Sequence, residues 1–234
     1  MSTAWRVRVG DDETSAIFEP ATSGESSGLF VMAHGAGGNM ADRGMLAAAT
    51  TLREHGLDVV RFNFLYKEKR RGRPDPMPLL QETVASVVRH VRDAHRPTRL
   101  LIGGRSMGGR AASMLAAAGF ACDGLLLLAY PLHPEGKPEK LRDAHLPAIR
   151  VPTLCLNGTR DGLCRRDLME DVLRRVGPRF RMHWLEGADH SFHVLKSSGR
   201  SDADVLGEVG SVCEAWLADV WPGSHDVGRP VDAR

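Results

Sequence analysis

Ser106 lies in Gly104-Arg105-Ser106-Met107-Gly108, the G-x-S-x-G spacing that lifts a hydroxyl onto a tight turn between a strand and a helix. The turn forces the serine into strained backbone, and the residues two before and two after it are expected to crowd each other, so neither carries a side chain. The context fits: the apolar run Leu100-Leu101-Ile102 precedes the motif and an alanine-rich helical pattern follows it. A hydroxyl becomes a nucleophile only beside a base that is itself oriented by an acid. Two later segments supply those groups, Asn157-Gly158-Thr159-Arg160-Asp161-Gly162 and Glu186-Gly187-Ala188-Asp189-His190-Ser191-Phe192.

The expected roles are Ser106 as nucleophile, His190 as the base that takes its proton, and Asp161 as the acid on the other ring nitrogen. The backbone N–H of Met107 is one expected oxyanion donor. The second should come from His34-Gly35-Ala36-Gly37-Gly38, at Gly35 or Ala36. Each such donor is worth roughly 3–4 kcal/mol in the transition state. Asp189 is the rival acid, but it adjoins His190, and neighbouring side chains on an extended segment point apart. His193 is the rival base and reads as structural or at the rim. Asp161 could instead serve only an Asx-type turn.

Other chemistries fit poorly. A metal site at His190-Ser191-Phe192-His193 lacks a supporting carboxylate or cysteine cluster. The glycines after residue 34 fail the dinucleotide fingerprint because its third glycine would fall at Met40. Gly108 is followed by Gly109-Arg110, not the Lys-Ser/Thr of a phosphate loop. No cofactor is expected. Candidate substrate-binding groups are His34, Arg105, Arg110 and Tyr130, with Arg70 and Arg71 in the basic segment 66–73. If that segment steers an anionic substrate, rates on a carboxylate-bearing ester should fall with salt more than rates on a neutral one.

These residues need a scaffold that brings distant segments to one rim. The pattern from residue 29 onward alternates short apolar runs with helical periodicities, which predicts a mostly parallel sheet with helices on both faces. Strands are expected at 29–33, 58–63, 100–102, 124–129, 153–157 and 179–185. An antiparallel hairpin over 5–10 and 14–18 precedes them. Helices are expected after Asp42, with Met45, Leu46, Ala49 and Leu52 on one side; from Pro78, with Leu80, Val84, Val87, Val88 and Val91; over 167–176; and over 202–220. Segment 64–78 reads as a loop, and 130–152 as a proline-rich connection too short for a large lid. In such sheets the site forms at the carboxyl ends of the strands, and every candidate group follows a strand.

The chain has 234 residues, 42% hydrophobic and 26% charged, which suits one domain over 1–221 with a flexible tail over 222–234. A net charge of +2 gives no reason to expect nucleic acid as a partner. Cys122, Cys155, Cys164 and Cys213 are widely spaced, which suits a reducing compartment. The charged start lacks an apolar leader core and no run spans a membrane, so the expected location is cytoplasmic.

The order serine, acid, histidine, together with the loop after the first parallel strand, resembles small α/β-hydrolases of the dienelactone-hydrolase-like group. His-Gly-Ala-Gly-Gly, Gly-Gly-Arg-Ser-Met-Gly-Gly-Arg and Tyr130-Pro131-Leu132-His133-Pro134 resemble a subgroup of predicted hydrolases related to a testis-expressed vertebrate protein. The resemblance covers residues 29–217 and implies an α/β-hydrolase fold and hydrolysis of a small carboxylic ester or thioester. It departs from true dienelactone hydrolases, which carry cysteine where this chain has Ser106, so their substrate does not transfer. A non-enzymatic interaction module and a peptidase are the alternatives on the same scaffold.

Overall fold

In the computed structural model, which describes residues 1–22 and 24–222, eight strands form one sheet in the order β1-β2-β4-β3-β5-β6-β7-β8. The strands are β1 (Thr3–Val9), β2 (Asp12–Glu19), β3 (Gly28–Ala33), β4 (Leu57–Phe62), β5 (Leu100–Arg105), β6 (Gly124–Leu128), β7 (Thr153–Gly158) and β8 (Phe180–Leu185). The β1–β2 hairpin joins β4 antiparallel, and from β4 to β8 the sheet is parallel. β3, β6 and β7 are buried along their whole length because helices cover both faces.

Alternation along each strand sorts its side chains between two cores. Leu29, Val31, Leu100, Ile102, Leu125 and Leu127 meet α3 (Met77–His95), α4 (Met107–Ala117) and α5 (Arg166–Val176) on one face. Phe30, Met32, Leu101, Leu126 and Leu128 meet α1 (Arg43–Glu54) and α6 (Asp202–Val220) on the other. α6 opens on a capping box in which the Ser201 and Asp204 side chains and backbones satisfy each other.

Three expectations change. Segment 64–78 contains a short helix, α2 (Leu65–Glu68), and Phe64, Leu65 and Tyr66 are buried in it or beside it. α1 packs through Met45, Ala48, Ala49 and Leu52, which leaves Leu46 42% exposed. Asp42 precedes α1 but does not cap it by a side-chain bond; its carboxylate accepts from the backbone and side-chain amides of Asn39. The expected loose tail lies, Pro222 apart, outside the described residues.

Candidate active site

β5 ends at Arg105 and α4 begins at Met107, so Ser106 alone turns the chain, at φ 49° and ψ −115°. A side chain there costs of order 1–3 kcal/mol of backbone strain. The flanking glycines are required by β3, where the sequence suggested mutual crowding. A Cβ on Gly108 would stand 2.6 Å from the carbonyl oxygen of Ala33, and one on Gly104 would collide with the same carbonyl. The neighbouring strand thus sets the tightness of the elbow.

The loops after β7 and β8 bring the other two groups to the serine. His190 Nδ1 lies 2.8 Å from Asp161 Oδ2 and 3.0 Å from Oδ1, and His190 Nε2 lies 2.9 Å from Ser106 Oγ. With Nδ1–H donating to the carboxylate, Nε2 is left to accept from the hydroxyl. The Asp161 side chain is fully buried, whereas the His190 side chain keeps 29% exposure. Asp161 is also held from behind. Asn157 Nδ2 donates to Oδ2 at 2.9 Å and the Leu163 N–H donates to Oδ1 at 2.8 Å. The Asx-type turn and the histidine contact therefore coexist.

Asp189 is occupied elsewhere. Residues 189–193 form a turn rather than an extended segment, and Asp189 Oδ1 accepts from the N–H groups of Ser191 and His193. His193 stands at the rim with Nδ1 3.0 Å from Asp202.

Among the described residues, no protein group accepts from the N–H of Met107, Gly35 or Ala36. A Cβ on Gly35 would sit 3.6 Å from the Ser106 Cβ, which fixes how closely the loop after β3 approaches the serine. Its carbonyls are held from the far side. The Gly35 oxygen lies 2.8 Å from His34 Nδ1, and the Ala36 oxygen accepts from the Tyr66 hydroxyl at 2.7 Å. The Gly37 oxygen accepts from Lys67 Nζ at 3.3 Å. A trans peptide points its N–H opposite to its carbonyl, so gripping the Gly35 oxygen turns the Ala36 N–H the other way. His34 Nε2 accepts from the Phe64 N–H at 3.1 Å, which assigns the proton to Nδ1. Burial lowers the His34 imidazole to about 4 and raises the Tyr66 phenol to about 12. Both are neutral donors at neutral pH.

A cleft of about 800 Å³ opens over Ser106 and His190 and runs between the first turns of α1 and α6, past Met45, Phe192 and Leu206. Of the substrate-binding candidates, Arg105 lines it. The other substrate-binding candidates lie elsewhere. His34 and Tyr130 are fully buried, the first gripping its own loop and the second donating its hydroxyl to the Arg142 carbonyl at 2.6 Å. Arg110 lies a turn into α4 and does not line the cleft. Arg70 and Arg71 are exposed and do not line it, with Arg71 reaching toward Asp75. Two cations of the basic segment serve structure, since Lys67 holds Gly37 and Lys69 pairs with Asp12 at 2.5 Å.

Sequence reasoning assigned nothing to Asn157 or to the Tyr66 hydroxyl, and it read Arg105 as a substrate-binding group without its bond to the His190 carbonyl. Asn157 left a trace, as the one polar side chain closing an apolar strand; it is fully buried and bonds both the N–H and the carbonyl of Tyr130. Among the described residues no group of three or more His, Cys, Asp or Glu side chains is placed to hold a metal ion.

A family model described as an alpha/beta hydrolase domain matches residues 26–218. Solved structures similar to this chain include an α/β serine hydrolase homologue from Coxiella burnetii, 21% identical over 91% of this chain and 96% of its own, with a TM-score of 0.72. A lidless α/β serine hydrolase from Xanthomonas campestris is 22% identical over 92% of this chain and 95% of its own, at 0.72. A dienelactone hydrolase from Anabaena variabilis is 20% identical over 94% and 97%, also at 0.72. At these identities the likeness is one of fold.

Proposed function

The chain belongs to the alpha/beta hydrolase domain family, and within it we propose a serine hydrolase that cleaves a small carboxylic ester or thioester through an acyl-enzyme. The observation that carries this reading is the continuous relay from Asp161 through His190 to Ser106, each link at 2.8–2.9 Å. Ser106 Oγ attacks the carbonyl carbon as its proton passes to His190 Nε2. The N–H groups of Met107 and of Gly35 or Ala36 receive the developing oxyanion. His190 then protonates the leaving alcohol or thiol, and water, deprotonated by the same nitrogen, releases the acid. Asp161 keeps its charge throughout and stabilises the imidazolium between Ser106 and itself.

The cleft supports a substrate with an apolar portion, because Met45, Phe192 and Leu206 line its length. We assign the activity to a single domain over 1–221 working in a reducing, cytoplasmic setting, in keeping with four unpaired cysteines. No helix among the described residues is long and apolar enough to cross a membrane.

The test is labelling by a fluorophosphonate probe, followed by an ester and thioester panel on wild type and Ser106→Ala. The reading expects labelling and turnover in wild type and neither in the variant. Folded wild-type protein that takes no label would favour an interaction module on this scaffold. Label that persists in Ser106→Ala would move the nucleophile elsewhere.

A further inference from the structure

We propose that Arg105 is a positioning residue that clamps the His190 loop onto the elbow, and that Gly44 is small so that the clamp can close. The proposal rests on the hydrolase reading above, since it acts through His190.

Arg105 is the last residue of β5, and alternation with Leu101 turns its side chain to the face covered by α1 and α6. There Nη2 donates to the carbonyl of His190 at 3.0 Å. The guanidinium lies 5.0 Å from the centre of the Phe192 ring, over its face. On its other side is the first turn of α1, where a Cβ on Gly44 would stand 2.8 Å from Nη1. Among the described residues no carboxylate pairs with it directly, and Asp189, Asp161 and Asp42 act on it only through space. Its one hydrogen bond therefore goes to the backbone of the residue that must meet the neighbouring serine.

The loop it holds needs an external anchor. Phe192 is buried at φ 66°, a left-handed conformation that a bulky side chain adopts only under constraint from its surroundings. The turn bonds of Asp189 shape residues 189–193 internally, and the side chains of His190 and His193 reach out to Asp161 and Asp202, but none of these bonds holds the backbone of His190. β5 and β8 are separated by β6 and β7. The Arg105–His190 bond crosses that gap and joins the base to the residue preceding the nucleophile. It sets the approach of Nε2 to Oγ independently of Asp161.

Steady-state kinetics on a neutral ester such as p-nitrophenyl acetate, with fluorophosphonate labelling rates, tests the clamp in Arg105→Met, Arg105→Lys, Gly44→Ala and the Met/Ala double variant. Misplacing the base lowers kcat and the labelling rate by about 10- to 100-fold in Arg105→Met, with KM little changed. Arg105→Lys keeps the charge but loses the planar fork and falls between Met and wild type. Added guanidinium at low millimolar concentration restores part of the activity of Arg105→Met. Gly44→Ala leaves Arg105 in the sequence and favours the helix, so it slows turnover without lowering Tm. The double variant is no slower than Arg105→Met, because both changes break one contact.

Turnover within about 2-fold of wild type in Gly44→Ala and Arg105→Lys overturns the clamp even if Arg105→Met does not fold. Fully additive losses overturn it too. A rise in KM alone, confined to anionic esters, would make Arg105 a substrate contact instead. Wild-type protein that takes no label refutes the hydrolase reading; labelled wild type with unaffected variants refutes only the clamp.

Discussion

Replacing Tyr66 by Phe removes one oxygen and tests whether the proposed oxyanion loop is governed from behind. The hydroxyl donates to the Ala36 carbonyl at 2.7 Å and stands 3.4 Å from the Gly35 carbonyl, while the ring beneath it is buried and would be preserved. The ceiling on the effect is the loss of a whole oxyanion donor, about 3–4 kcal/mol. Tyr66→Phe does not reach that ceiling, because His34 Nδ1 still grips the Gly35 carbonyl at 2.8 Å. A loosened but present donor loses about 1–2 kcal/mol, which is roughly a 5- to 30-fold fall in kcat. The interaction strengthens as charge develops on the substrate oxygen, so KM for a neutral ester should hold steady. The buried hydrogen bond itself is worth about 1 kcal/mol of stability, a Tm decrease of about 2–4 °C. Steady-state hydrolysis of p-nitrophenyl acetate alongside thermal unfolding separates the two effects. A folded Tyr66→Phe enzyme that loses its degrees of Tm but keeps kcat within about 2-fold would refute the reasoning.

Asp161→Asn should cost about 10³- to 10⁴-fold in kcat, since an amide cannot hold Nδ1 protonated while Asn157 and Leu163 both donate to it; activity near wild type would reassign the acid. Burial holds the His34 imidazole at about 4, below its unfolded value of about 6.5. The unfolded chain therefore takes up the proton first as pH falls. Stability from this group is intact above about pH 6.5 and declines toward pH 4, with about 2 kcal/mol lost by pH 5. Urea midpoints that do not fall between neutral pH and pH 5 would contradict it. Because no residue of the basic segment 66–73 lines the cleft, carboxylate-bearing and neutral esters should show the same salt dependence. A steeper fall for the anionic ester would return those residues to the substrate path.

What was legible in the sequence were groups that follow strands. Ser106, Asp161 and His190 each follow the carboxyl end of a strand, and a parallel sheet places such ends at one rim. The all-apolar strands were readable for the same reason, being buried on both faces. What escaped depends on strand order and on contacts across it. Tyr66 meets Ala36 because β4 lies beside β3, and Arg105 meets His190 across two intervening strands; no local pattern encodes either neighbour. α2 was hidden because four helical residues within a run of lysines, arginines and prolines give no periodicity. Leu46 was misplaced by a pattern that allowed it a turn position, while Ala48 filled the face that packs.

The carbonyl of Ala33 against Gly104 and Gly108 means that the serine turn is moulded by a strand donated from elsewhere in the chain. A short peptide carrying that motif, grafted onto a foreign sheet, would lack the mould and relax. To transplant this chemistry into a designed scaffold, an engineer would have to move two adjoining strands as a pair.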